Sequence, residues 1–292
     1  MSNDEWLRRG IDALQRVAVS PPVAYLCPLC FSLVTPAQFA ADNTIISVEH
    51  VPPGSIGGKP ICLTCKPCNN WAGTYLDSQW HKIERERLYA EGKLNAPVGG
   101  KLYVSGIELN VDAVNQAGRM TFEIPRRRNN PANLQQLRQL ADQGQGAVPF
   151  AQFALDQTYN RRRAEVSALR AAYLAAFAFF GYNYIIDPAL NIVRQQIAEP
   201  DTEIIKHFTM PARSTSESEN MIGIVAGPVE YRCVVVKFGD SAVLLPPVGV
   251  PDSPHTKLAS EIQAGASGVG LTVRELDWPA GPEHRVDFQR RS

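Results

Sequence analysis

The sequence has no excess of charge of either sign and no hydrophobic run long enough to cross a membrane. Its 292 residues include 29 Lys and Arg and 29 Asp and Glu, so the formal net charge is zero. This balance excludes binding to nucleic acid through bulk electrostatics and leaves only local basic patches. The longest apolar run, residues 171–182, has 12 residues, whereas a helix needs about 20 to span a bilayer. We therefore expect a buried helix there and no membrane association.

The amino terminus also lacks the pattern of a secretory signal. It is acidic at Asp4 and Glu5, where a signal peptide is basic, and Pro21 and Pro22 interrupt the first apolar stretch. We expect a cytoplasmic protein without a targeting peptide. Cysteines stay reduced in that compartment, so the six cysteines are expected to be thiols or metal ligands rather than disulfides.

Two Cys-x2-Cys pairs indicate a metal site near the amino terminus. Cys27 and Cys30 form the first pair, and Cys65 and Cys68 form the second, with 34 residues between the pairs. Each short turn presents two sulfurs together, so two turns can place four thiolates around one structural Zn²⁺. Two other interpretations remain open: four unrelated buried cysteines, or a redox pair. Cys62 could compete as a ligand, but its apolar surroundings favour a buried thiol.

The segment between the two pairs has the pattern of two strands followed by a helix. Residues 44–51 form a β-branched run that ends in Glu49 and His50, and a Pro-rich turn follows. Residues 60–64 are short and apolar, which is typical of a returning strand. After Cys68, large apolar side chains recur at helical spacing. The order is therefore strand, strand and helix, with zinc at the base.

Four short motifs occur in order within residues 23–80: Cys27-x2-Cys30, Glu49-His50, Gly57-Gly58 and Cys65-x2-Cys68-Asn69. Together they resemble the HNH nuclease family, which belongs to the ββα-metal or His-Me finger nucleases. The resemblance implies an α+β protein with an amino-terminal, zinc-stapled ββα-metal (HNH) module. It also implies an endonuclease that hydrolyses phosphodiester bonds of nucleic acid with one divalent ion.

The resemblance assigns three residues of this module to catalysis. His50 is the implied general base, a task that suits imidazole because it titrates near neutrality. Glu49 is implied as an oxygen ligand of the ion or as a residue that orients the ion's ligands, and Asn69 is implied as an amide oxygen ligand. Mg²⁺ or Mn²⁺ is expected, since such ions favour oxygen ligands. Asn69 could instead cap the helix. Asp77 falls on the same predicted helix, and we expect it to be structural.

Basic residues are the candidates for binding the substrate backbone. Lys59 follows the two glycines of the hairpin, and Arg126, Arg127 and Arg128 form a run in the middle of the chain. Each could contact phosphates, and each could equally be a solvated surface charge. DNA is favoured over RNA because the family mostly cuts DNA, and many members serve mobile elements or defence against phages.

The remainder of the chain is predicted to form a separate domain. A Gly- and Pro-containing connection places a boundary near residue 96, so residues 1–95 form the nuclease module and residues 96–292 form a mixed α+β domain. This second domain is expected to bind substrate, sense a signal or form a homodimer. Pro131 is expected to begin one helix, and residues 156–180 are expected to form another.

Two alternative functions remain open at this point. Between His50 and Cys65 there is no Asn or His where the middle residue of the family pattern is expected. A catalytically inactive, zinc-bound nucleic-acid-binding module is therefore the first alternative. The second is a zinc-stabilised protein-interaction scaffold, which the zero net charge of the chain favours.

Overall fold

A computed structural model describes residues 2–17, 21–116, 118–142, 151–156, 158–212, 220–247, 255–265 and 271–279. The predicted α+β class is confirmed. The α-helices are α1 (Asn3–Gln15), α2 (Pro36–Ala41), α3 (Lys66–Ala72), α4 (Ser78–Ala90), α5 (Pro131–Asp142), α6 (Arg161–Phe180), α7 (Tyr182–Ile185), α8 (Asn191–Ala198) and α9 (Lys257–Gln263).

Within the described residues, the strands form four antiparallel sheets. They are β1 (Tyr25–Leu26), β2 (Leu33–Val34), β3 (Ile46–Val51), β4 (Lys59–Cys65), β5 (Val98–Val104), β6 (Ile107–Gln116), β7 (Arg119–Glu123), β8 (Ala151–Leu155), β9 (Thr209–Pro211), β10 (Asn220–Gly227), β11 (Cys233–Phe238), β12 (Ser241–Leu245) and β13 (Thr272–Leu276). The two-stranded sheets pair β1 with β2 and β3 with β4. The larger sheets have the strand orders β7-β6-β5-β8 and β13-β10-β11-β12-β9.

The chain divides into two compact units, and the division differs from the one predicted near residue 96. The first unit combines residues 1–80 with residues 161–292, and the second contains residues 81–160. The physical reason lies in α6, which packs against β3 and β4 as well as against β11 and β12. The amino-terminal segment with the two Cys-x2-Cys pairs and the sheet that contains β11 and β12 therefore share one core.

Helix α6 is the centre of the first unit. Every residue from Ala171 to Phe180 is buried, which confirms the buried helix expected for the apolar run. The helix begins at Arg161 rather than near residue 156, because the chain up to Leu155 is an extended strand that pairs with β5. Within the described ranges, none of the helices combines the length and apolar character that crossing a bilayer requires.

The second unit is built on the sheet β7-β6-β5-β8. Alternate residues of β6 are buried, from Ile107 to Ala113, so one face of the sheet points to the interior. Helix α5, which begins at Pro131 as predicted, packs on this face through Leu134, Leu137 and Leu140. Asn129 holds the turn before α5 because its amide donates to the carbonyl of Asn110.

The turn between β3 and β4 requires both of its glycines. Gly57 has a φ of 88°, in the left-handed region where a side chain is strained. A Cβ on Gly58 would lie 1.4 Å from the carbonyl oxygen of Pro52, so only glycine fits there. These backbone requirements explain why glycine occupies both positions of the turn.

We predict that Gly58→Ala destabilises the protein by about 3 kcal/mol, since the new methyl group has to displace backbone. Gly73→Ala is the matched control, because Gly73 has helical φ and ψ and open space around its Cα. That variant should gain about 0.4–1 kcal/mol from a less flexible unfolded chain. Urea unfolding followed by circular dichroism measures both. Equal stability of the two variants would contradict the close approach at Gly58.

Candidate metal centre and strand-end site

The four cysteines of the two Cys-x2-Cys pairs lie together. Cys27 and Cys30 occupy the loop between β1 and β2, Cys65 ends β4, and Cys68 lies in the first turn of α3. Their Sγ atoms all lie within 4.8 Å of one another, and those of Cys30 and Cys65 are 3.6 Å apart. In a tetrahedral site with Zn–S bonds of about 2.3 Å, the sulfurs are about 3.8 Å apart. The cluster can therefore hold one metal ion such as zinc.

Hydrogen bonds among the four thiols lower the pKa of two cysteines and raise the pKa of the other two, Cys30 to about 12. Hydrogen bonding with Cys30 lowers the pKa of Cys27 to about 7. Hydrogen bonding with Cys27 lowers the pKa of Cys65 to about 7 and raises the pKa of Cys68. Two of the four thiols thus ionise readily near neutral pH, and the negative charge attracts a divalent cation.

Tyrosines of the core hold the first cysteine loop in place. Tyr173 on α6 donates a hydrogen bond of 2.7 Å to the carbonyl of Pro28, which lies between Cys27 and Cys30. Tyr182 donates to the carbonyl of Leu26 at 2.8 Å. The loop is thereby tied to a helix more than a hundred residues later in the sequence.

Cys62 is not a member of the cluster. It is fully buried in β4, and burial raises the pKa of its thiol well above the usual value. It lies opposite Glu49 in the pairing of β3 with β4, and both residues are buried. The expectation of a buried thiol agrees with this position.

We predict that Cys30→Ser removes bound zinc, whereas Cys62→Ala retains it. Loss of one thiolate leaves a three-ligand site of much lower affinity, while Cys62 contributes no ligand. Elemental analysis of protein purified by identical steps should give about one zinc per chain for the wild type and for Cys62→Ala. Full zinc content in Cys30→Ser would contradict the four-cysteine site.

Glu49 lies in the interior and contacts protein groups instead of solvent. Only 4% of its surface is exposed. Its Oε2 accepts hydrogen bonds from the Thr64 hydroxyl at 2.9 Å and from the Arg170 guanidinium at 2.5 Å. This carboxylate is therefore engaged by an internal ion pair, and the position does not fit the predicted role of a direct metal ligand.

A second carboxylate completes the surroundings of Arg170. Residues 73–77 form a π-helical turn between α3 and α4, and Asp77 at its end accepts a hydrogen bond from Ser167 at 2.6 Å. Asp77 also lies 3.5 Å from the guanidinium of Arg170. The structural role predicted for Asp77 matches these contacts. Arg170 thus connects α6 to β3 and to the π-helical turn.

Burial determines how this ion pair titrates. Desolvation raises the pKa of Glu49 above its usual value, and the positive charge of Arg170 opposes that rise. Arg170 stays charged because Glu49 and Asp77 both stabilise the guanidinium. The pair is therefore maintained by mutual neutralisation within a region from which water is excluded.

We predict that Arg170→Met destabilises the protein by about 3–5 kcal/mol, because it leaves Glu49 buried without a cation. The pKa of Glu49 then rises further, so the folded state binds a proton more readily than the unfolded state, and stability falls as pH rises. The loss relative to wild type should be smaller at about pH 5 than at about pH 8.

Urea unfolding at both pH values measures this effect. The control is Arg161→Met, which removes an exposed pair with Glu165 and should change stability by less than about 0.5 kcal/mol. The double variant Glu49→Gln/Arg170→Met should recover part of the loss. A deficit of Arg170→Met that is independent of pH would show that Glu49 does not carry the uncompensated charge.

His50 and Asn69 have different surroundings from Glu49. His50 is partly exposed near the end of β3, and its ring lies next to Gly54 of the following turn. Asn69 on α3 donates a hydrogen bond of 2.7 Å from Nδ2 to the hydroxyl of Ser47. This bond leaves the Asn69 Oδ1 available as an oxygen ligand. Glu49 is already paired with Arg170, so Glu49 and His50 do not form one ligand set.

The basic side chains predicted to contact phosphates differ in whether they form ion pairs within the protein. Lys59 is exposed at the start of β4. Arg128 pairs with Asp112 across the surface of the second unit. Arg126 and Arg127 are exposed in the turn before α5, with no ion pair to any described residue.

The sequence pattern does not identify Arg170, Ser167 or Thr64 as residues of this site. A signal for Arg170 was present, because it is the one charged residue in the apolar run of residues 166–180. A charge inside a buried helix requires a partner of opposite sign. Nothing in the local pattern identifies that partner as Glu49, which lies 121 residues away in sequence.

Comparison of the chain with known protein families, with curated proteins and with solved structures gives no match. The resemblance of the four motifs to HNH nucleases therefore stays a prediction.

Proposed function

We propose that the protein is a metal-dependent endonuclease that hydrolyses phosphodiester bonds of nucleic acid, with DNA as the preferred substrate. The observation that carries the proposal is the four-cysteine cluster at the base of β4 and α3. It anchors the strand, strand and helix that carry His50 and Asn69. A fixed position for a base and an oxygen ligand is what metal-assisted hydrolysis requires.

In this proposal His50 is the general base, and it accepts the proton of the attacking water. Its partial exposure at a strand end leaves the ring accessible to substrate. Asn69 supplies Oδ1 to a Mg²⁺ or Mn²⁺ ion, which when bound stabilises charge on the phosphate. Glu49 does not belong to this ligand set and acts instead by holding β3 against Arg170.

Exposed cations are the proposed contacts to the substrate backbone. Lys59 lies on the same hairpin as His50, so it is proposed to contact phosphates flanking the cleaved bond. Arg126 and Arg127 are proposed to bind phosphates at the second unit. Arg128 is a weaker candidate, because Asp112 already neutralises it.

An inactive nucleic-acid-binding module is the second candidate, and the burial of Glu49 is the observation that favours it. A site with one amide oxygen and no carboxylate binds a divalent ion weakly. In this case the zinc-bearing unit binds nucleic acid without cutting it. Binding of duplex DNA that weakens with added salt would separate this candidate from a protein-interaction scaffold.

We predict that the purified protein converts supercoiled plasmid to nicked or linear DNA when Mg²⁺ or Mn²⁺ is added. His50→Ala should lower the rate by about 100-fold or more, since it removes the base. The matched control is His207→Ala. His207 is a partly buried histidine of the same unit, and it is distant in sequence from His50 and Asn69. Gel electrophoresis with time measures the rates.

Zinc content and thermal stability of the three proteins should be equal, so that lost cutting cannot be assigned to unfolding. Equal cutting by His50→Ala and the wild type would contradict the role of His50. Absence of cutting by all three, together with salt-sensitive DNA binding, would favour the inactive module.

A further inference from the structure

Strand β7 forms one edge of the sheet β7-β6-β5-β8 in the second unit. It pairs with β6 on one side, and no described residue pairs with its other side. Natural proteins protect such edges with lysine, proline or a β-bulge, because an unpaired edge can add a strand from another chain. The five residues of β7 include no lysine and no proline, and their register with β6 has no bulge. This edge is therefore open to strand pairing.

The backbone groups that point to the open edge belong to two residues. Gln116 and Arg119 face each other across the two-residue connection between β6 and β7, so they form a hydrogen-bonded pair. Hydrogen-bonded and non-hydrogen-bonded positions alternate along an antiparallel ladder. Arg119 and every second residue after it therefore bond to β6. The N–H and C=O groups of Met120 and Phe122 point away from β6, to the open edge.

The two ends of β7 carry opposite charges. Arg119 and Glu123 are exposed, and neither side chain has an ion pair with any described residue. Glu123 lies opposite Asp112 of β6, and Arg128 pairs with Asp112. Like charges that lie directly opposite each other destabilise a sheet. A further cation next to Glu123 would therefore stabilise this edge.

The other face of β7 is apolar at the same edge. Met120 is 41% exposed, and Phe122 is partly buried against the ring of Phe153, 5.3 Å away. Apolar side chains that lie opposite each other on neighbouring strands stabilise a sheet by burying surface. An added strand with apolar residues at the matching positions would cover the exposed part of Met120.

We propose that β7 pairs antiparallel with β7 of a second copy of this chain, across a two-fold axis at Thr121. In this register Arg119 lies opposite Glu123 of the second copy, and Met120 lies opposite Phe122 of the second copy. The two-fold axis repeats both contacts, so the interface contains two ion pairs and two apolar pairs. The outward N–H and C=O groups of both strands bond to each other, and the two sheets become one sheet of eight strands.

Three antiparallel registers pair the outward residues with one another, and the charges select one of them. Pairing Met120 with Met120 places Arg119 opposite Thr121, and pairing Phe122 with Phe122 places Arg119 opposite Pro125, so neither forms an ion pair. Only the pairing of Met120 with Phe122 places the two charges opposite each other. Because the same strand is used by both copies, the contact closes at two chains and leaves no β7 edge for a third.

Sedimentation equilibrium of the full-length protein at low ionic strength, without nucleic acid, tests this proposal. The strand is short, so the interface belongs to the small class, and we expect a dissociation constant of about 10 μM. Loading concentrations from about tenfold below to about tenfold above that value should show a change from one chain to two. A single chain at every concentration, or species larger than two chains, would overturn the proposal.

Charge reversal tests the pairing residues. Arg119→Glu brings two carboxylates together and Glu123→Arg brings two guanidinium groups together, so each variant alone should dimerise at least about tenfold more weakly. An equimolar mixture of the two variants restores both ion pairs and should form a mixed dimer. The double variant Arg119→Glu/Glu123→Arg should dimerise as the wild type does. The matched control is Arg138→Glu, an equal change of charge at an exposed position of α5, which should leave the dimer unchanged.

Met120→Pro tests the backbone pairing. The N–H of Met120 points away from β6, so proline there keeps the bonds between β6 and β7 and removes one donor per copy from the interface. This variant should stay a single chain, with the circular dichroism of the wild type. A dimer that survives Met120→Pro and both single charge variants uses another surface and would overturn the proposal. None of these measurements involves cutting, so their outcome is independent of the nuclease proposal.

Discussion

The guanidinium of Arg170 lies in a helix that carries no other charge from Val166 to Phe180, and the first unit is arranged so that this charge is neutralised. Glu49 reaches it from β3, and Asp77 reaches it from the π-helical turn. A buried cation that loses its partner destabilises a protein far more than an exposed one does. The strand, the turn and the helix must therefore assemble together, and their relative positions are fixed by charge as well as by apolar packing.

This constraint decides what the strand-end site can contain. Glu49 is adjacent to His50 in sequence, yet it points into the core and is unavailable to an ion in solvent. His50, one position later, is partly exposed near the end of β3. The carboxylate contributes to the site indirectly, since it fixes the strand on which His50 stands. The cysteine cluster fixes the other end of the same hairpin, through Cys65 at the end of β4.

The parts of this site that depend on local spacing could be predicted from the sequence, and the parts that depend on distant contacts could not. Two Cys-x2-Cys pairs specify a four-sulfur cluster because each turn brings its own two sulfurs together. The β-branched run before His50 likewise specifies a strand. The burial of Glu49 depends on Arg170, which no local pattern connects to it. The chain also divides differently from the boundary predicted near residue 96, because α6 packs against β3 and β4 as well as against β11 and β12.

The discontinuous first unit also has a consequence for folding. Its central ion pair joins residues 121 positions apart, and its cysteine loop is held by Tyr173, 145 positions after Pro28. Contacts of such long sequence separation form slowly because the intervening chain must first be ordered. The second unit contains most of that intervening chain, and its strands β5, β6 and β7 pair with their neighbours in sequence. We therefore expect the second unit to fold first, which shortens the effective loop that the Arg170–Glu49 pair has to close.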